Sequence, residues 1–183
     1  LTATAAVGLI VALVGGGGAA EQILLDPGAL VRWGLPAARM LNNVSAAAML
    51  GALVLALFAL KAGERPFEIA LDTASVGAAV FTVSAAATGF LTFRSAFAGV
   101  QFSLDEQFGE QLGRFLFALP LGQAWLITTI MGAVVTIALF AGRGWTSVLL
   151  TTILAAAALL PMATQGHSGD LNGHVVAVNS ILL

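Results

Sequence analysis

Apolar runs of membrane-spanning length dominate this chain and leave little choice of fold. About six such segments follow one another, over residues 1–14, 36–60, 71–93, 119–140, 145–163 and from 175 onward. A helix needs about 20 apolar residues to cross a bilayer, and the middle four segments reach that scale. Inside lipid every backbone N–H and C=O must be paired within the protein. Long unbroken apolarity therefore selects helices over the alternating strands of a barrel. The composition agrees: 59% of residues are hydrophobic and 9% charged, against about a quarter charged in an ordinary soluble domain. The fold class expected is all-α, a polytopic transmembrane helical bundle forming one domain over residues 1–183, with the lipid bilayer as its main partner. The first residue is Leu1, and the first and last apolar segments are too short to span. A fragment of a longer chain is expected, with its first and last helices truncated; no cleaved signal peptide is visible.

Several functions are excluded early. There is no cysteine, hence no disulfide, thiolate metal site or cysteine nucleophile. A net charge of −2 argues against a nucleic-acid partner, because phosphate neutralisation needs clustered Lys and Arg. No nucleophile–base pair with an orienting group is legible, so catalysis is not expected. Asp72, Glu64 and Glu68 gather instead around a basic connection and read as a solvated membrane edge. Gly15 to Gly18 lack the Lys-Ser/Thr that a phosphate loop requires.

Orientation follows from Lys and Arg beside the spans. The short connections after the second and fourth segments carry Lys61 with Arg65, and Arg143, which places them in the cytoplasm. The longer connections with Arg32 and Arg39, and with Arg94 and Arg114, then face outward. Arg94 is expected to snorkel to the headgroups. In "LLDPGALVRWGLP" Asp26 is expected to cap a short helix with Pro27 at its first position, and Trp33 suits the headgroup zone. In "SLDEQFGEQLGRFLF" Ser103 and Glu106 have capping-box spacing, and Leu104, Phe108, Leu112 and Phe115 share one helical face. This segment reads as an interfacial amphipathic helix on the outer face.

The chemistry-bearing residues lie in "PMATQGHSGDLNGH", which holds both histidines of the chain. His167, Asp170 and His174 are three candidate metal ligands, and Gly169 and Gly173 permit the tight turns that would let the loop fold back. Along a helix axis the two imidazoles would stand about 10 Å apart, too far for one ion; two separate sites sharing ligands from other helices remain equally open. Met162 lies five residues before His167, and Met40 lies at the outer start of the second segment. Imidazole with thioether is the ligand set expected for copper, Cu(I) above all. The simpler reading is a polar loop with core methionines. Asn42 and Asn43, beside Met40, need partners at such a depth, from another helix, water or the loop.

The order "LVRWGLPAARMLNNVSAAAMLGALVLA", "PLGQAWL" and "TQGHSGDLNGHVVAVNSILL" resembles the membrane domain of the CopD family, bacterial copper-resistance and copper-uptake proteins. It looks especially like the actinobacterial form fused to a CtaG-like cytochrome c oxidase assembly domain. The resemblance implies copper ion as cargo at the outer side of the bacterial cytoplasmic membrane, by import or by delivery to cuproenzymes. A copper chaperone or an oxidase assembly factor would be the partner. It carries His167, Asp170 and His174 onto the polar loop of the family. The competing class is a helical scaffold or assembly subunit that binds no metal. A haem protein is disfavoured, because axial ligation across a bundle wants histidines on facing helices.

Overall fold

A computed structural model describes residues 2–21, 25–98 and 105–163. Among these the chain is helical: α1 (Thr2–Gly15), α2 (Ala29–Phe58), α3 (Arg65–Ala96), α4 (Glu106–Ala118), α5 (Pro120–Ala141), α6 (Trp145–Ala157) and a single turn, α7 (Leu160–Ala163). Three of them, α2, α3 and α5, are long and apolar enough to cross a membrane; α6 and the Ala6–Gly15 part of α1 are shorter apolar helices. The protein is therefore a multi-pass helical membrane bundle. α3 is its centre, packed along α2 on one side and α5 on the other, with α6 against α2 and α5. The last segment expected from the sequence, beginning at residue 175, lies outside the described residues.

Small residues set the helix spacing. A Cβ placed on Gly77 of α3 would stand 3.0 Å from the backbone nitrogen of Met49 on α2. On the other side of α3, a Cβ on Gly89 would meet the Cβ of Trp125 at 3.0 Å. In lipid, where burial of apolar surface no longer drives association, such close packing is what holds helices together. The connections 59–64 and 142–144 lie at one end, called here the basic end. There Arg143 joins the α5–α6 connection to α3, donating to Glu68 at 2.8 Å and to Asp72 at 2.7 Å. The Glu68 bond first, then that to Asp72, raises the Arg143 pKa above its ordinary value. The carboxylates read in sequence as a solvated edge are thus also a tie between two helices.

Several boundaries differ from expectation, each for a physical reason. The second span begins at Ala29, not near residue 36, and runs unbroken through Pro36; membrane helices tolerate proline because neighbouring groups re-pair the freed carbonyl. Asp26 does not cap a short helix that begins at Pro27. Its Oδ1 accepts the backbone N–H of Gly28 at 2.9 Å, and Gly28, at φ +89°, is the N-cap. The third span, expected over 71–93, is a 32-residue helix of about 48 Å, so its first turn with Arg65 and Glu68 stands outside the hydrocarbon. The capping box at Ser103 is corrected too: Asp105 caps α4, accepting from the N–H of Phe108 at 2.9 Å. Asp caps as well as Ser and adds a favourable charge at the helix N-terminus. The fifth span breaks after Ala157, because Pro161 lacks the N–H that would continue the helix onto that carbonyl.

Asp26 yields a pH prediction. Its pKa is held below the ordinary 3.8, chiefly by the Gly28 N–H and then by Arg32, whose guanidinium donates to the carboxylate. A group lowered on folding stabilises above its unfolded pKa and loses that contribution as pH falls through the folded value. Unfolding midpoints in detergent are therefore expected to drop as the pH falls below about 3.8, less steeply in Asp26→Asn than in wild type. Equal slopes for both proteins would contradict this.

Candidate functional site

The bundle interior is divided. Toward the basic end the core is mostly apolar, with Met49, Leu53, Phe67, Phe81, Val135 and Leu139 fully buried and Ser75 and Thr151 as buried hydroxyls among them. Toward the opposite end the buried side chains turn polar. Asn42 and Ser45 on α2, Ser84, Thr88 and Thr92 on α3, and Thr128 on α5 are all buried there. Asn42, 0% exposed, accepts the Ser84 hydroxyl at 3.3 Å across the α2–α3 contact. Another helix is thus a partner for this amide; Asn43, the next residue, is exposed.

Most hydroxyls in these helices spend their proton on their own backbone. Ser75, Thr82, Thr88, Thr129, Thr136 and Thr152 each donate to the carbonyl four residues back, at 2.7 to 2.8 Å. Thr92 Oγ1, Thr128 Oγ1 and Trp125 Nε1 do not: buried, they have no partner among the described residues, and neither has Arg32 Nε. All four belong to the half of the bundle away from the basic end. A buried polar group left unpaired costs about 1–3 kcal/mol, so this half carries an uncommitted polarity that the other half lacks. Because Gly89 faces Trp125, Thr92 and Thr128 lie three residues to either side of that level. They are therefore about 9 Å apart along the bundle axis, a row rather than a single-ion site. Hydroxyl, amide and indole are hard or donor-only groups, suited to water and polar side chains and not to a soft metal. The sequence signal for this row was the i, i+4, i+8 spacing of Ser84, Thr88 and Thr92, which the reading of the chain passed over.

The row is covered at its end by α4. Phe108, Leu112 and Phe115 turn inward, as their spacing predicts, while Leu104 lies outside the described residues. Phe93 at the end of α3 meets Phe97, Phe108 and Phe115 with ring centroids 5.0, 5.7 and 5.5 Å away. Arg94, in the last turn of α3, is half-buried. In the first turn of α2, Arg32 reaches back to Asp26 and Glu21, which precede the helix. Both ends of the bundle are thus tied by ion pairs, the far end by Arg32 and the basic end by Arg143.

The residues singled out for copper fall unevenly. Met40 is half-buried on α2. It is two residues from Asn42, so the helix turns about 200° between them and the thioether lies on a different side of α2 from the buried amide. Met162 belongs to α7; its side chain, with His167, Asp170 and His174, lies outside the described residues. Among the described residues no three of His, Cys, Asp and Glu lie together as a metal site.

Three membrane-length helices, an amphipathic cap and buried polar side chains toward one end define a multi-pass helical membrane protein. The chain belongs to the copper resistance protein D-like family, whose N-terminal domain matches residues 25–177. That bears out the likeness to the CopD family, and with it a copper-related role in a membrane. No curated protein and no solved structure matches the chain.

Proposed function

We propose that this domain receives copper ion at the outer face of the bacterial cytoplasmic membrane and either imports it or hands it to cuproenzymes such as cytochrome oxidase. The membership of the copper resistance protein D-like family over residues 25–177 carries the reading. Under it the basic end, with Lys61, Arg65 and Arg143, faces the cytoplasm in keeping with the positive-inside rule. His167, the first histidine of the polar loop, follows the end of α7 by four residues. His167 and His174, with Asp170, Met162 and Met40, form the proposed ligand set; imidazole with thioether matches the preference of Cu(I). The chain's part is binding and transfer, with no bond-making step. A copper chaperone or an oxidase assembly factor is the proposed partner, on the resemblance to the fused form.

The test is competition for Cu(I) between the full-length protein in detergent and a chromophoric chelator. Wild type is expected to bind at least about tenfold more tightly, about 1.4 kcal/mol, than the His167→Ala/His174→Ala variant. Equal binding by both, or none by either, would sink the proposal.

A further inference from the structure

A cavity of about 230 Å³ lies where α3, α4 and α5 meet, at the level of the Gly89–Trp125 contact. Its walls include Ala86 and Phe90 of α3, Leu112 and Leu116 of α4, and Trp125 and Thr129 of α5. The Thr129 hydroxyl is already spent on the Trp125 carbonyl at 2.8 Å, so this wall presents carbon to whatever fills it. Ala86 and Phe90 are exposed on the surface of α3, which opens the cavity sideways toward lipid. Trp125 and Thr129 are five and nine residues below the start of α5 at Pro120, a depth of about 8 to 14 Å. Half of the hydrocarbon core is about 15 Å, so the whole cavity sits within one leaflet, beneath the amphipathic α4.

Size decides between occupants. At about 30 Å³ for each water-sized group the cavity takes about seven or eight methylene-sized groups in a file. A helix, about 10 Å across with its side chains, does not fit beneath α4. Water finds no free hydrogen-bonding group in the α3 and α4 walls and gains little there. We infer that the cavity holds one acyl chain of a phospholipid from the leaflet on the α4 side. The chain fills the space between α3 and α5 and fastens α4 from the lipid side, while Phe93, Phe108 and Phe115 hold it from within. This site is independent of copper.

Residues 1–183 hold three tryptophans, so in a protein of these residues Trp33→Phe/Trp145→Phe leaves Trp125 as the single emitter. Reconstituted in vesicles of phosphatidylcholine with brominated acyl chains, Trp125 is expected to lose most of the emission it shows in unbrominated vesicles. Ala86→Leu or Thr129→Leu fills the cavity and is expected to restore that emission. Ala87→Leu, exposed on α3 but outside the cavity wall, is expected to leave quenching unchanged. Size-exclusion profiles identify variants that remain folded, and either filling variant suffices. Unquenched Trp125 in the unfilled protein overturns the inference, as does equal quenching in the filled and unfilled proteins. Quenching that appears only when the protein is diluted to monomers, which would mark a second copy as the occupant, also overturns it.

Discussion

Gly122→Ala is expected to abolish the α4–α5 corner and to lower stability by about 3 kcal/mol, the upper end for an overpacked site. A Cβ built on Gly122 would overlap the carbonyl oxygen of Phe115 and lie 2.6 Å from its carbonyl carbon. These are backbone atoms of α4 and cannot rotate aside. The last turns of α4 would have to lift from α5, drawing Phe115 away from Phe93, now 5.5 Å distant between ring centroids. They would also strain the bond that Gln123 Nε2 donates to the Phe117 carbonyl at 2.7 Å. Gly113→Ala is the control: nothing lies within 4 Å of its added methyl, and alanine is the better helix former by about 1 kcal/mol. Thermal unfolding in detergent is expected to show a large fall for Gly122→Ala and none for Gly113→Ala. Equal midpoints would mean that the corner is not packed as described.

Phe81→Ala is expected to cost about 3 kcal/mol, the lower end of the range for a fully buried phenylalanine in water-soluble cores. The lower end applies because lipid withholds the hydrophobic part of the penalty and leaves the lost packing. Phe81 is fully buried at the centre of α3, and its ring fills the space that Gly132 leaves on α5: a Cβ there would stand 3.0 Å from Phe81 Cδ1. Removing the ring leaves a void between α3 and α5 that two helices tied at Thr82 and Thr136, 3.4 Å apart, cannot close. Denaturation with SDS measures the loss. Phe81→Leu, which keeps most of the volume, is expected to lose much less. A fall of similar size in both would place the effect elsewhere than in packing.

The helices were legible because lipid makes apolar length nearly sufficient. The span expected over 119–140 is observed at Pro120–Ala141, and the inward face of α4 follows from Phe108, Leu112 and Phe115. Legibility failed at polar ends, where helix and loop carry similar residues. Asp26 and Pro27 form a proper start signal, yet the helix begins two residues beyond Pro27, at Ala29, because Gly28 supplies the left-handed conformation. Ser103 and Asp105 are competing caps of equal propensity, and only geometry separates them. Contacts across helices were not legible at all. The Asn42–Ser84 bond joins residues 42 apart, and Arg143 reaches Glu68 across 75, so no local pattern records either pair. The sequence pointed to polar chemistry in the histidine loop, and the described bundle adds a second polar feature, the row from Asn42 to Thr128. A serine or threonine every fourth residue of a membrane helix is ordinary back-bonding; Ser84 and Thr88 keep such bonds, and of the three only Thr92 is seen to lack one.

We propose that this domain holds copper through imidazole and thioether at its outer end. Copper K-edge X-ray absorption on the Cu(I)-loaded full-length protein tests it most directly. Nitrogen and sulfur neighbours around the metal are expected, with the sulfur lost in Met40→Leu/Met162→Leu and the nitrogen in His167→Ala/His174→Ala. A copper spectrum with oxygen neighbours alone, or one unchanged by either double substitution, would contradict it.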